Sequence, residues 1–412
     1  MRRLGGLVGV VALVVALSGA PGARAAEPGD DVPPEQDNGA AGRADSINAG
    51  DVPPVQACNK PATTPGGSRL TRPLPAGPTA EDGTFLFTTG VCIYLPPGYD
   101  DGTKRYPVLY LLHGGGGDAA DWVNFGSVQS TIDAAGGDLI VVMPDGSNGL
   151  WYDAPDGSLL NETYVMEWLI EYVDRHLRTI PTRVGRAVSG LSNGGLGAMV
   201  LAAKHPDRFV AATSMSGNLG GHLHEYDQRN RPMYRDGNTP TPLASNLDHV
   251  ALSIRWGASC TGDVSRDLCV SWAFEQFFRY DNQLFHQTLV DLGTEHVYEE
   301  AEGSHAWRWW RAWLRDHDLP FLLDHLADAQ LVDAPIAPAP TPTAWDYRSI
   351  SSDFEIWGYD FTVDRPVEEF LHVAVAGAEM TLTGSGVITV RTPAGVEHRV
   401  DLGDGSTVTI TP

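Results

Sequence analysis

The sequence is short of positive charge. It carries 28 Lys and Arg against 52 Asp and Glu, a formal net charge of −24. Only three of its 412 residues are lysine: Lys60, Lys104 and Lys204. No basic cluster is present, which argues against nucleic acid or an anionic bilayer as a partner held by charge. Long apolar runs are also scarce. The longest, Leu7–Leu17, is too short for a bilayer span, which needs roughly 20 apolar residues, so no stable membrane insertion is expected. Cysteine is limited to Cys58, Cys92, Cys260 and Cys269. The C-x2-C and H-x3-H spacings of a zinc site are absent around them, and no metal is expected. No Gly-Lys-Ser/Thr follows the glycines 114–117, which excludes a phosphate loop. No internal repeat is present.

What is there reads as an exported globular protein, with 42% hydrophobic and 19% charged residues. Arg2 and Arg3, the run Leu7–Leu17 and then Ala23-Arg24-Ala25 form the pattern of a secretory signal peptide over 1–25. In an oxidising compartment the four cysteines are expected to pair. Three pairings are open to four cysteines; Cys58–Cys92 and Cys260–Cys269 are favoured because each closes a local loop. Residues 26–57 are acidic and rich in Pro, Gly and Ala without an aromatic residue, and are expected to be a disordered leader. A catalytic-sized body is expected over 58–330. Residues 331–344 read as an extended Pro/Ala linker. Short strand patterns with Gly-containing turns make 345–412 a small β-rich module.

Within 58–330 the runs Val91–Leu95, Tyr106–Leu112 and Leu139–Met143 are continuously apolar, as in parallel strands covered on both faces. The stripe Val165, Trp168, Leu169, Tyr172, Val173, Leu177 has helical spacing. Strands alternating with helices give an α/β fold with a mostly parallel sheet.

Gly190-Leu-Ser-Asn-Gly194 is a G-x-S-x-G sequence between an apolar strand and a helix. That context turns a weak motif into a candidate nucleophile elbow presenting Ser192. A serine hydroxyl needs a base. His305, in Gly303-Ser-His-Ala-Trp307 after a late strand, is best placed; His113 and His205 read as structural. The acid should fall between Ser192 and His305 in the chain, after the strand 252–256. Asp263 is the expected residue and Asp267 the alternative. Oxyanion donors are expected from the backbone of Asn193 and of Gly115 in the four-glycine loop. Asp145, Trp151 and Tyr152 follow a strand end and are expected to line the substrate site. His222 and His224 read as solvated residues of an inserted cap. The helix with Trp307, Trp309, Trp310 and Trp313 reads as packing.

Tyr106-Pro-Val-Leu-Tyr-Leu-Leu-His-Gly114, Gly190-Leu-Ser-Asn-Gly-Gly195, His205-Pro-Asp-Arg-Phe209 with Ser216-Gly217, and Gly303-Ser-His-Ala-Trp307 occur in this order. Together they resemble the esterase D family of α/β-hydrolases, over about 85–327. That family includes feruloyl and acetyl esterases, S-formylglutathione hydrolases and secreted mycolyltransferases. The resemblance implies an α/β-hydrolase fold, no cofactor, Ser192 as nucleophile, His305 as base, and Gly115 and Asn193 as oxyanion donors. The expectation is a secreted serine esterase acting on polysaccharide- or envelope-linked esters. Transfer of the acyl group to a sugar hydroxyl is one alternative; a non-catalytic glycan-binding protein is the other.

Overall fold

In the computed structural model, residues 57–71, 90–146, 150–220, 231–261, 271–403 and 405–411 are described. The signal segment and all but the last residue of the 26–57 leader lie outside them, as do His222, His224, Asp263, Asp267 and Cys269.

The apolar runs become strands because turn residues bound them. These strands are β1 (Arg69–Thr71), β2 (Val91–Leu95), β3 (Val108–Leu112), β4 (Ile140–Pro144), β5 (Arg186–Leu191), β6 (Ala211–Met215), β7 (Ala251–Ser259) and β8 (His296–Glu302). They form one sheet in the order β1-β2-β4-β3-β5-β6-β7-β8. The β1–β2 and β2–β4 pairs are antiparallel and all the others parallel. Every residue of β2 to β6 is buried, as a sheet covered on both faces requires. Alternation sorts the two core layers. Val108, Tyr110 and Leu112 face one cluster with Val188 and Phe209, while Leu109 and Leu111 face a second with Trp307, Trp310 and Trp313. This is the α/β-hydrolase arrangement.

Four helices matter for the site: α1 (Asn193–Lys204), α2 (Trp272–Glu275), α3 (Arg279–Leu292) and α4 (Trp307–Trp313). In α4, Trp307, Trp310 and Trp313 are buried. Trp307 packs edge-on against Trp122, 5.1 Å between centroids. The stripe at 164–173 buries Val165, Leu169 and Val173, passing from a π-helical turn, Tyr164–Leu169, into the helix Ile170–His176. A Cys58–Cys92 disulfide ties the start of the described chain to β2. Cys260 is also disulfide-bonded.

The C-terminal region is all antiparallel. Its strands are β9 (Ala344–Ser349), β10 (Asp353–Ile356), β11 (Tyr359–Asp364), β12 (Leu371–Ala376), β13 (Glu379–Gly384), β14 (Val387–Arg391), β15 (Glu397–Asp401) and β16 (Ser406–Ile410). They form two four-stranded sheets, β9-β12-β13-β16 and β10-β11-β14-β15. A core of its own includes Trp345, Phe361, Val373 and Leu382. The region is also hydrogen-bonded to the larger body. Arg348 N–H donates to Asn246 Oδ1 (2.8 Å), and Asn246 Nδ2 returns a bond to Arg348 O (3.0 Å). Trp357 lies edge-on to His249 and beneath the Arg183 guanidinium, 5.5 Å from its ring. Among the described residues, no helix is long and apolar enough to cross a membrane.

Candidate active site

The site grows from the turn between β5 and α1. Ser192 occupies it at φ 54°, ψ −118°, a conformation that aims the side chain off the sheet edge. So tight a turn needs glycine on both sides. A Cβ on Gly190 would sit 2.3 Å from the Gly194 carbonyl oxygen, and one on Gly194 would sit 2.4 Å from the Leu112 carbonyl oxygen. Ser192 N–H donates to Met215 O (2.9 Å), locking the elbow to β6.

His305 lies in the loop between β8 and α4. Its Nε2 is 3.0 Å from Ser192 Oγ, and its Nδ1 is 2.7 Å from Glu275 Oε2. Because the carboxylate can only accept, it takes the Nδ1–H and leaves Nε2 as the acceptor for the serine proton. The imidazole is 2% exposed. Three rings wall it: Phe274, Phe278 and Trp310, at centroid distances of 4.9, 5.0 and 4.9 Å. Trp310 Nε1–H is fixed on Ser216 Oγ (3.0 Å). Serine, imidazole and carboxylate therefore form one connected line with the geometry of a nucleophile, base and orienting acid.

The carboxylate is not where the sequence reading placed it. Asp263 and Asp267 fall outside the described residues, and the group on His305 Nδ1 is Glu275, at the end of α2 and fully buried. Its second oxygen, Oε1, accepts the Gly257 N–H (2.7 Å) from β7. Gly257 has to lack a side chain: a Cβ there would meet the Gly303 carbonyl oxygen at 2.5 Å and Glu275 Cγ at 3.1 Å. One sequence signal pointed to Glu275. It is the only acid in the aromatic run Trp272-Ala-Phe-Glu-Gln-Phe-Phe278, and a buried carboxylate needs a partner.

The glycine loop lies against the nucleophile. A Cβ on Gly114 would be 3.3 Å from Ser192 Cβ, and one on Gly115 would be 2.6 Å from Asn193 Nδ2. The Asn193 side chain accepts from Asn218 Nδ2 at Oδ1 (3.2 Å). Asn193 N–H belongs to the first turn of α1, where helical N–H groups have no partner within the helix. The glycine loop thus packs against Ser192 through Gly114 and against the Asn193 side chain through Gly115.

His113 holds this loop. Its Nδ1–H donates to Gly114 O (2.7 Å), and its Nε2 accepts Gly146 N–H (2.9 Å). His205 instead pairs with Glu162 (2.9 Å). Asp145 stands 3.9 Å from His113 Nε2. Trp151 and Tyr152, expected on the substrate side, are 1% and 2% exposed and are used for packing. Trp151 fills the space left by the missing side chain of Gly197 and donates its indole N–H to His113 O (3.2 Å). Tyr152 packs with Leu196, Val200 and Tyr234. Among the described residues, no group of three or more His, Cys, Asp or Glu is placed to hold a metal ion.

Comparison with known proteins places the chain in a family. Residues 87–320, more than half of the chain, match the model of a family described as "Putative esterase". Esterase Rv1288 of Mycobacterium tuberculosis (strain ATCC 25618 / H37Rv) is 40% identical over 132 residues, covering 31% of this chain and 29% of the relative. An acetyl esterase of Caldicellulosiruptor saccharolyticus is 24% identical over 225 residues, covering 52% of this chain and 83% of the relative. A solved ferulic acid esterase has a TM-score of 0.47 at 24% identity, covering 57% of this chain and 92% of that one. The chain spans less than a third of the length of Esterase Rv1288. By the extent of the family match, the chain belongs to the putative esterase family.

Proposed function

We propose that the chain is a secreted serine esterase that cleaves carboxylic esters through an acyl-enzyme on Ser192. The observation that carries this reading is the line from Ser192 Oγ to His305 Nε2 (3.0 Å) and from His305 Nδ1 to Glu275 Oε2 (2.7 Å). Ser192 Oγ attacks the ester carbonyl as its proton passes to Nε2. The imidazolium so formed is held by Glu275. The C–O bond breaks as Nε2 returns the proton to the leaving alcohol. Water then repeats the sequence on the acyl-enzyme, releasing the acid and restoring Ser192. The N–H groups of Asn193 and Gly115 face the developing oxyanion; one such donor is worth roughly 10²–10³ in turnover.

The signal-peptide pattern of 1–25 and the Cys58–Cys92 disulfide support export to an oxidising compartment. A non-catalytic glycan-binding role for the C-terminal region is disfavoured. Its Trp345, Tyr347, Trp357 and Phe361 are all buried, so these rings are not free to stack on sugars. The acyl-enzyme could pass its acyl group to a sugar hydroxyl instead of water, and one experiment separates the two. Purified protein is incubated with p-nitrophenyl esters from acetate to palmitate, with and without trehalose, and the products are identified by mass spectrometry. Free acid as the main product is expected. Acyl sugar forming faster than free acid would make it a transferase, and no acyl product from any ester would overturn the reading.

A further inference from the structure

The aromatic wall behind His305 continues outward. Phe274, in contact with the imidazole, is 5.9 Å from the Phe277 ring. Phe277 is 71% exposed and Tyr280 70%, with Trp272 at 37% and Leu284 at 40%. Phe277, Tyr280 and Leu284 follow at intervals of three and four, so they share one helical face. The other face of the same segment packs inward through Phe278, Asn282 and Phe285. The outward rings therefore contribute little to the core, and their exposure calls for an occupant.

Three observations define that occupant. Side chains more than two-thirds exposed stand out from the surface, so they suit an extended apolar surface better than a single chain threaded in a groove. The ridge is joined through Phe274 to the candidate base, whose Nε2 is 3.0 Å from Ser192 Oγ. The protein's net charge of −24 opposes an anionic surface. We propose that Trp272, Phe277, Tyr280 and Leu284 seat the enzyme on the surface of an aggregated neutral ester, a droplet or film, with Ser192 facing it. This inference rests on the esterase reading and names the physical form of its substrate.

The test uses the Phe277→Ser/Tyr280→Ser double variant, beside wild type and Ser192→Ala. Flotation with tributyrin droplets measures docking. Hydrolysis of tributyrin above its solubility and of dissolved p-nitrophenyl acetate measures chemistry. The double variant should lose about tenfold or more in droplet binding and in emulsion hydrolysis, since two aromatic side chains no longer leave water. Its rate on p-nitrophenyl acetate should stay within about twofold of wild type, and its rate of phosphonate labelling at Ser192 should be unchanged. Ser192→Ala should float like wild type while hydrolysing neither ester. Undiminished flotation of the double variant, or wild-type binding to phosphatidylglycerol vesicles as tight as to droplets, would overturn the proposal. So would a defect that grows with acyl length on dissolved esters alone, which would make the ridge an acyl-chain contact. If wild type floats but hydrolyses neither ester, the esterase reading fails and the docking surface stands.

Discussion

Tyr347, in the C-terminal sandwich, donates its hydroxyl proton to the carbonyl oxygen of Lys204 (2.7 Å), the last residue of the helix that begins beside Ser192. The sandwich thus satisfies a helix end that would otherwise be left with unpaired carbonyls. Two further bonds, between Asn246 and Arg348, fasten it to the segment before β7. Tyr347→Phe should cost about 1 kcal/mol, the net value of one hydrogen bond. Thermal unfolding would register this as a fall in Tm. Removal of 344–412 should lower Tm much further, because it also uncovers the surface around His249 and Arg183. A truncated protein that melts like the full chain would contradict this.

The same helix end is clamped by charge. Glu162 accepts hydrogen bonds from Lys204 Nζ and His205 Nε2. Burial alone would raise its pKa, but the Lys204 ammonium and His205 outweigh it and hold the carboxyl at about 2. A depressed folded-state pKa contributes stability that is present above the ordinary value of 4.5 and is lost as pH falls toward 2. Glu162→Gln should therefore be less stable than wild type at pH 7, with the gap closing between pH 4.5 and 2. Denaturant midpoints across that window measure it.

Asp318 has the opposite sign. It is fully buried. Burial pushes its pKa up to about 7; the Thr213 hydroxyl and, after it, the charge of Arg255 offset only part of this. The folded state then holds a proton that the unfolded chain gives up near pH 4. Stability from this group falls as pH rises from about 4 through 7, by an amount on the order of a few kcal/mol. Asp318→Asn should remove that slope and be more stable than wild type at pH 8. Equal slopes in the two proteins would show that the carboxyl is ionised in the fold.

At the reaction centre, Glu275→Gln keeps the side chain's shape but offers an amide to His305 Nδ1, which favours the wrong tautomer. Turnover should fall by roughly 10³–10⁴, with Tm little changed. The kcat for a p-nitrophenyl ester measures it, and a loss below tenfold would remove Glu275 from the relay.

The parts of the site legible in the sequence are those whose signal is local. The glycines around Ser192 and the strand before it are dictated by one tight turn, and Gly303-Ser-His305 follows a strand directly. Glu275 carries a weaker signal, as the one acid of its aromatic run. It comes well after the end of β7, inside an aromatic stretch, and reaches His305 only because α2 folds back over Gly257. Trp151 and Tyr152 misled for a related reason. Aromatic residues after a strand look alike whether they face substrate or core, and here the missing side chain of Gly197 draws Trp151 inward. The β-rich character of the C-terminal region was readable from its alternation and turns. Its attachment was not, because it is made largely to backbone carbonyls such as that of Lys204, which no sequence pattern marks.

The most direct test of the account is labelling of the full-length protein with a fluorophosphonate, followed by peptide mass spectrometry. The account predicts a single adduct on Ser192, formed at a rate that drops sharply in Glu275→Gln and abolished in Ser192→Ala. Labelling that persists in Ser192→Ala, or that maps to another serine, would contradict it.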